Sequence, residues 1–117
     1  MWLNTSWKIN EKNMIDNGNN MLKEITTKEL LNNPDVQLID VREEYEHEEG
    51  HIEHSINIPM GDFFKNLDKL SKTQNTIIYC NTGRRSAPVA HMTYKLYGFT
   101  LYNLKGGYKN FLKTSAK

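Results

Sequence analysis

At 117 residues the chain has the length of a single domain and can bury one modest core. The 15 basic and 14 acidic residues leave a formal charge of +1, which gives no global reason to invoke nucleic acid or membrane as a partner. A lone cysteine, Cys80, excludes an intramolecular disulfide and a resolving thiol within the chain. No apolar run approaches membrane-spanning length, so a cytoplasmic location is the default expectation.

Residues 1–20 are rich in Asn and poor in periodicity, with Asn17-Gly18-Asn19-Asn20 as a turn or linker signal. They are expected to form a poorly ordered extension ahead of a domain over 21–117. Two other readings stand beside that one: Trp2, Leu3, Trp7 and Ile9 fold back onto the domain, or translation begins at Met21. From there short apolar runs alternate with helical stretches. Leu22 to Ile25 reads as a strand, and Thr26-Thr27-Lys28-Glu29 has capping-box spacing for a helix ending near Asn32-Asn33-Pro34. Val36 to Val41 is nearly all apolar, as a strand covered on both faces would be. A short acidic helical turn over 43–48 follows, then a strand at Ser55 to Ile58 stopped by Pro59. Phe63 to Leu70 reads as a helix with Phe63, Phe64, Leu67 and Leu70 on one side. Thr76 to Tyr79, Ser86 to Tyr97, Thr100 to Asn103 and Tyr108 to Lys113 complete the strand–helix alternation. Pro88 is tolerated in a helix's first turn. Such alternation predicts an α/β fold: a parallel sheet with helices on both faces and ligands beyond the carboxyl ends of the strands.

That edge is where Cys80-Asn81-Thr82-Gly83-Arg84-Arg85 falls, between a buried strand and a helix. Unpaired backbone N–H groups and the helix dipole favour a thiolate there, and Arg84 and Arg85 add positive charge. The thiolate is the nucleophilic form of cysteine, so the loop reads as an activated nucleophile. Consecutive N–H groups curling around one point form a nest for an anion, and Gly83 permits the backbone turn that this requires. Arg85 carries a guanidinium fork suited to an oxyanion, while Ser86 is expected to cap the following helix. Asp40 either hydrogen-bonds the loop, pairs with an arginine or caps a turn. Arg42 is expected to pair with a glutamate at the surface. Charge is uneven along the chain: residues 43–53 hold six glutamates, while after Asp68 nine Lys or Arg residues occur and nothing acidic. A solvated basic face explains this, and so does a field drawing small anions toward Cys80.

The motifs resemble those of the rhodanese family of sulfurtransferases. Cys80-Asn81-Thr82-Gly83-Arg84-Arg85-Ser86 fits that family's C-x-x-G-x-R-S loop. Asp40-Val41-Arg42-Glu43, Gly50-His51-Ile52 through Asn57-Ile58-Pro59, Gly98-Phe99 and Leu104-Lys105-Gly106-Gly107-Tyr108 match its other signatures, in order, over roughly residues 21–113. The resemblance implies a three-layer rhodanese-like fold with a central five-stranded parallel sheet. It implies catalysis by Cys80 without a cofactor. In that scheme a small anionic sulfur donor such as thiosulfate, or a persulfide, loads Cys80 as a persulfide. A thiol or cyanide acceptor, or a sulfur-relay protein, then takes the terminal sulfur. Substrate-binding residues would be Asn81, Thr82, Gly83, Arg84, Arg85 and Ser86, with Asp40 in support. Many members carry Arg where this chain has Asn81, and Arg84 is a substitute cation. Four residues separate Cys80 from Arg85, one fewer than in phosphatase-type loops, and the smaller ring favours sulfur over a phosphoryl group. The alternatives are a non-catalytic binding or regulatory module and a phosphatase- or arsenate-reductase-like enzyme.

His47-Glu48-Glu49-Gly50-His51 also fits the H-E-x-x-H zinc pattern, with His54 as a conceivable third ligand. Gly50 interrupts it and no long helix carries it, so no metal site is expected. His91 reads as a surface or packed residue and not as a general base.

Overall fold

The computed structural model describes residues 14–16 and 21–115. Six strands form one sheet: β1 (Met14–Asp16), β2 (Met21–Ile25), β3 (Gln37–Asp40), β4 (Ile56–Asn57), β5 (Thr76–Tyr79) and β6 (Leu101–Leu104), in the order β1-β2-β6-β5-β3-β4. Five of these, β2 to β6, run parallel, as the strand–helix alternation requires. The sixth, β1, lies antiparallel on the β2 edge, within a stretch that the sequence reading left without a strand. The expectations for Trp2, Leu3, Trp7, Ile9 and 17–20 lie outside the described residues.

Among the described residues, four helices accompany the sheet: α1 (Thr27–Leu31), α2 (Glu44–Glu49), α3 (Ser86–Tyr97) and α4 (Gly107–Ser115). The Thr26–Glu29 capping box forms in full: the Thr26 hydroxyl accepts from the Glu29 N–H at 3.1 Å, and the Glu29 carboxylate accepts from the Thr26 N–H at 3.0 Å. The helix expected over 63–70 is instead a 3-10 segment, Phe64–Lys69, preceded by a 3-10 turn at Met60–Asp62. Leu67 and Leu70, three residues apart, suit that tighter repeat and pack inward with Phe63. Phe64 turns outward toward Tyr97, with ring centroids 5.8 Å apart.

Alternate residues of the buried strands feed two cores. Ile39, Ile78, Cys80 and Leu101 pack with Phe63 and Leu70 and with Val89 and Ala90 of α3. Leu38, Ile77, Tyr79 and Leu104 pack with Leu30 of α1 and, at the margin, Tyr108 and Phe111 of α4. Both faces of β5 are therefore dry, and its four residues are all buried. The strand delivers Cys80 to the carboxyl edge of the sheet, directly below the start of α3.

Candidate active site

The Cys80 sulfur lies beneath the start of α3, whose N-cap residue is Arg85. Sγ accepts hydrogen bonds from the backbone N–H of Gly83 (3.1 Å), Arg85 (3.2 Å) and Ser86 (3.4 Å), and the Ser86 hydroxyl stands 3.3 Å away. These are the N–H groups that a helix start and the loop before it leave without partners. Ser86 was expected to cap the helix itself. Instead it is the first residue of α3, and its hydroxyl points down to Sγ and to the Asn103 Oδ1. Gly83 takes φ +94°, a backbone conformation that side chains strain to adopt, although a Cβ there would meet the Leu104 carbonyl at an ordinary contact distance of 3.4 Å. Cys80 is 0% exposed. Burial pushes its thiol up, but the Ser86 hydroxyl and the N–H groups of Ser86, Thr82 and Arg85 outweigh it, so the pKa lies below the ordinary thiol value.

Helix α4 closes the loop from the other side. The Tyr108 N–H donates to the Cys80 carbonyl (2.9 Å) and the Lys109 N–H to the Asn81 carbonyl (3.0 Å). That approach requires Gly107, because a Cβ there would stand 2.6 Å from backbone atoms of both Cys80 and Asn81.

The two arginines part ways. The Arg85 guanidinium grips Glu46 of α2 bidentately, at 3.0 and 2.9 Å, with the side chains 40% and 18% exposed. Its fork is occupied by a carboxylate of the same chain, and the Glu46 carboxyl is held below its usual range chiefly by that hydrogen bond. Arg84 is exposed and meets no carboxylate among the described residues. Thr82 is exposed beside it and Asn81 is half-buried.

Asp40 pairs with an arginine one strand away from the loop. Its carboxylate receives Arg42 Nε (2.9 Å), Arg42 Nη2 (2.8 Å), the Arg42 N–H (2.9 Å) and His47 Nδ1 (2.9 Å). Burial raises the Asp40 carboxyl, and these bonds more than offset it. Arg42, expected on the surface with a glutamate, is buried instead. Its Nη2 also donates to the Gly50 carbonyl at 2.7 Å, and its guanidinium lies 4.6 Å from the Tyr108 ring centroid. A flat cation between two aromatic rings and a buried carboxylate needs no surface partner. The H-E-x-x-H residues divide between α2 and its exit. The His47 and His51 rings stack at 3.7 Å, and each Nδ1 engages an oxygen, of Asp40 and of the His47 carbonyl. His91 is half-buried on α3.

A family model described as Rhodanese-like domain matches residues 26–114. The chain belongs to the rhodanese-like family. It is 32% identical over 96 residues to the tRNA uridine(34) hydroxylase of Photorhabdus laumondii, covering 74% of this chain and 26% of that protein. It is 38% identical over 73 residues to the uncharacterized protein YqhL of Bacillus subtilis, covering 62% and 58%. A solved structure of a rhodanese-like domain protein from Staphylococcus aureus superposes with a TM-score of 0.71 at 34% identity, over 77% of this chain and 91% of that one. The chain thus spans about a quarter of the length of the hydroxylase and over half that of YqhL.

In this rhodanese-like domain, sequence reasoning missed three residues that hold the loop. Glu46 was one of six glutamates in an acidic stretch, with nothing to single it out. Arg42 was read as pairing with a glutamate at the surface and not as buried against Asp40. Asn103 left a clearer signal: it is an amide at an inward position of Leu101–Leu104, a strand buried on both faces, where an apolar residue is normal.

Proposed function

We propose that this domain is a sulfurtransferase in which Cys80 carries the sulfur. The Cys80 thiolate attacks the outer sulfur of thiosulfate or of a persulfide. A new S–S bond forms to Cys80, the donor's S–S bond breaks, and its electron pair departs with sulfite or the donor thiolate. A thiol or cyanide acceptor then attacks the terminal sulfur, and the electron pair returns to Cys80. The observation that carries this reading is the ring of three backbone N–H groups and one hydroxyl around a single sulfur. The three N–H donors are fixed by the backbone and stabilise a negative sulfur without reorganising as charge moves on and off it.

Arg84 is the cation that meets an anionic donor, at the exposed Thr82–Arg84 side of the loop. Arg85, gripped by Glu46, anchors the loop to α2. That division also disfavours phosphoryl chemistry, since the loop's guanidinium fork faces a carboxylate. The likeness to tRNA uridine(34) hydroxylases extends to one domain of those longer proteins, and no residue of the loop favours hydroxylation over sulfur transfer. A module kept for binding alone has no use for a buried thiol with a lowered pKa.

Incubation with thiosulfate or glutathione persulfide, followed by intact mass measurement, tests the reading. Wild type gains one sulfur atom and Cys80→Ala gains none. Phosphoester hydrolysis without sulfur gain, or no reaction with either donor, overturns it.

A further inference from the structure

Asn103 is a buried polar residue on the sulfur's own face of the sheet. It is 1% exposed on β6, in register with Glu24 of β2 and Ile78 of β5, and it shares Cys80's face of the sheet. Its Nδ2 donates to the Gly83 carbonyl (3.3 Å) and to Glu24 Oε2 (3.4 Å). Two acceptors on that side fix the amide's orientation, so Oδ1 must face the Ser86 hydroxyl, from which it accepts a hydrogen bond. We infer that Asn103 is a positioning residue that sets the charge state of Cys80 through the single hydrogen of Ser86.

The argument is one of counting hydrogens. The Ser86 hydroxyl has one hydrogen and two acceptors in reach, Asn103 Oδ1 and Cys80 Sγ. Among the described residues, every other hydrogen-bond partner of Sγ is an N–H donor. A protonated sulfur therefore has one place to donate, the Ser86 oxygen, and the Ser86 hydrogen then rests on Asn103. In the thiolate form that hydrogen turns to the sulfur and Asn103 Oδ1 loses its donor. Asn103 favours the thiol form and so limits the acidity that the backbone nest confers. A limit of this kind is useful, because a thiolate of very low basicity is a poor nucleophile. The inference rests on Cys80 as the reacting group, and it gives Asn103 a role in tuning as well as packing.

The test is the pH dependence of Cys80 alkylation by iodoacetamide, which needs no sulfur donor and stays readable if the transferase reading fails. Asn103→Leu, close in volume and free of polar atoms, releases the Ser86 hydrogen to the sulfur. The thiolate-to-thiol ratio at neutral pH rises about fivefold, the equivalent of one neutral hydrogen bond. Asn103→Asp retains the acceptor and adds charge, so the ratio falls. Damage to packing alone would move both variants the same way. Ser86→Ala lowers the ratio, and adding Asn103→Leu to Ser86→Ala changes nothing more, since the effect passes through that hydroxyl. If Asn103→Leu does not fold, Asn103→Thr serves in both backgrounds, because its hydroxyl is one bond too short to replace Oδ1. No change or a fall in the ratio with a folded Leu or Thr variant overturns the inference, and so does an equal rise when Ser86 is alanine.

Discussion

Gly107 is where α4 meets the sulfur-bearing loop, and its replacement by alanine measures how firmly the two are locked. The added Cβ would stand 2.6 Å from the Asn81 carbonyl carbon and oxygen and from the Cys80 carbonyl oxygen, at φ +62°. Gly98, at the end of α3, has a similar φ of +68° but nothing within 4 Å of the same position. The Gly98→Ala variant therefore supplies the conformational cost without the collision. A left-handed residue with a side chain costs about 1–2 kcal/mol, and both variants bear it. Relieving the Gly107 clash moves α4 off the loop and breaks the Tyr108–Cys80 and Lys109–Asn81 backbone bonds. At about 1 kcal/mol for each bond, Gly107→Ala totals about 3–4 kcal/mol. In a domain of this size the melting temperature then falls by roughly 15–25 °C for Gly107→Ala and about 5–10 °C for Gly98→Ala. Thermal unfolding followed by circular dichroism reads the difference, and iodoacetamide reads the sulfur. Alkylation of Cys80 changes in Gly107→Ala alone, because only there are the loop carbonyls released. A Gly107→Ala protein as stable as Gly98→Ala, with wild-type alkylation, refutes the reasoning.

Asp40→Asn leaves the Arg42 guanidinium buried without a charge partner and lowers stability in urea by about 3–5 kcal/mol. Asp40 and Glu46 both sit below their ordinary values. Their contributions are complete above the unfolded carboxylate pKa of about 4 and disappear as pH falls through the lower folded values. Wild type therefore loses stability on acidification more steeply than Asp40→Asn, and parallel slopes count against the network. Glu46→Gln costs about 1 kcal/mol or less at a pair this exposed, but it loosens the loop; Arg85→Ala matches it in sulfur loading if Arg85 anchors, and a donor KM raised by Arg85→Ala alone shows that it binds the donor. Arg84→Ala raises the KM for thiosulfate with an unchanged melting temperature, and the difference shrinks with added salt. Cys80→Ala removes the acceptor of three N–H groups; because the folded thiol pKa is lowered, wild type's margin over it is largest above the unfolded value of about 8.5 and declines as pH falls through the folded one.

The alternation of apolar runs and helix signals was enough to place five parallel strands and to put Cys80 at their carboxyl edge. These are local patterns, set by side-chain period and by turn residues. The 3-10 segment over 64–69 was misjudged because Phe63, Phe64, Leu67 and Leu70 satisfy a helical stripe on paper, while in the fold Phe64 faces out. The antiparallel β1 escaped because its three residues pair only with β2, a tertiary choice that their own sequence does not state. At the site, Cys80 and Gly83 were legible from chemistry and backbone need. The partners of the arginines were legible only in part: Asp40 was read as a candidate arginine partner, but not as Arg42's. Arg85 meets Glu46 from 39 positions away in the sequence, and Arg42 turns inward to Asp40 although charged residues are seldom buried.

The loop is held from three directions, and each fixes a different part of it. Arg85 ties its end to α2 through Glu46, α4 ties the Cys80 and Asn81 carbonyls through its first N–H groups, and Asn103 holds the Gly83 carbonyl from below. Asp40 and Arg42 reach the same loop indirectly, since Arg42 packs on Tyr108 of α4 and Asp40 binds His47 of α2. Among the described residues, no charged side chain donates to the sulfur. The donors that favour a thiolate are the Ser86 hydroxyl, whose hydrogen turns with the sulfur's charge, and peptide N–H groups, whose positions are set by the backbone. A lysine or arginine on Sγ would hold the anion more tightly, but it would also hold it back from attack. Neutral donors favour the thiolate without pinning it by a counter-charge, and Arg84, exposed and without a carboxylate partner among the described residues, is the cation proposed to meet the donor.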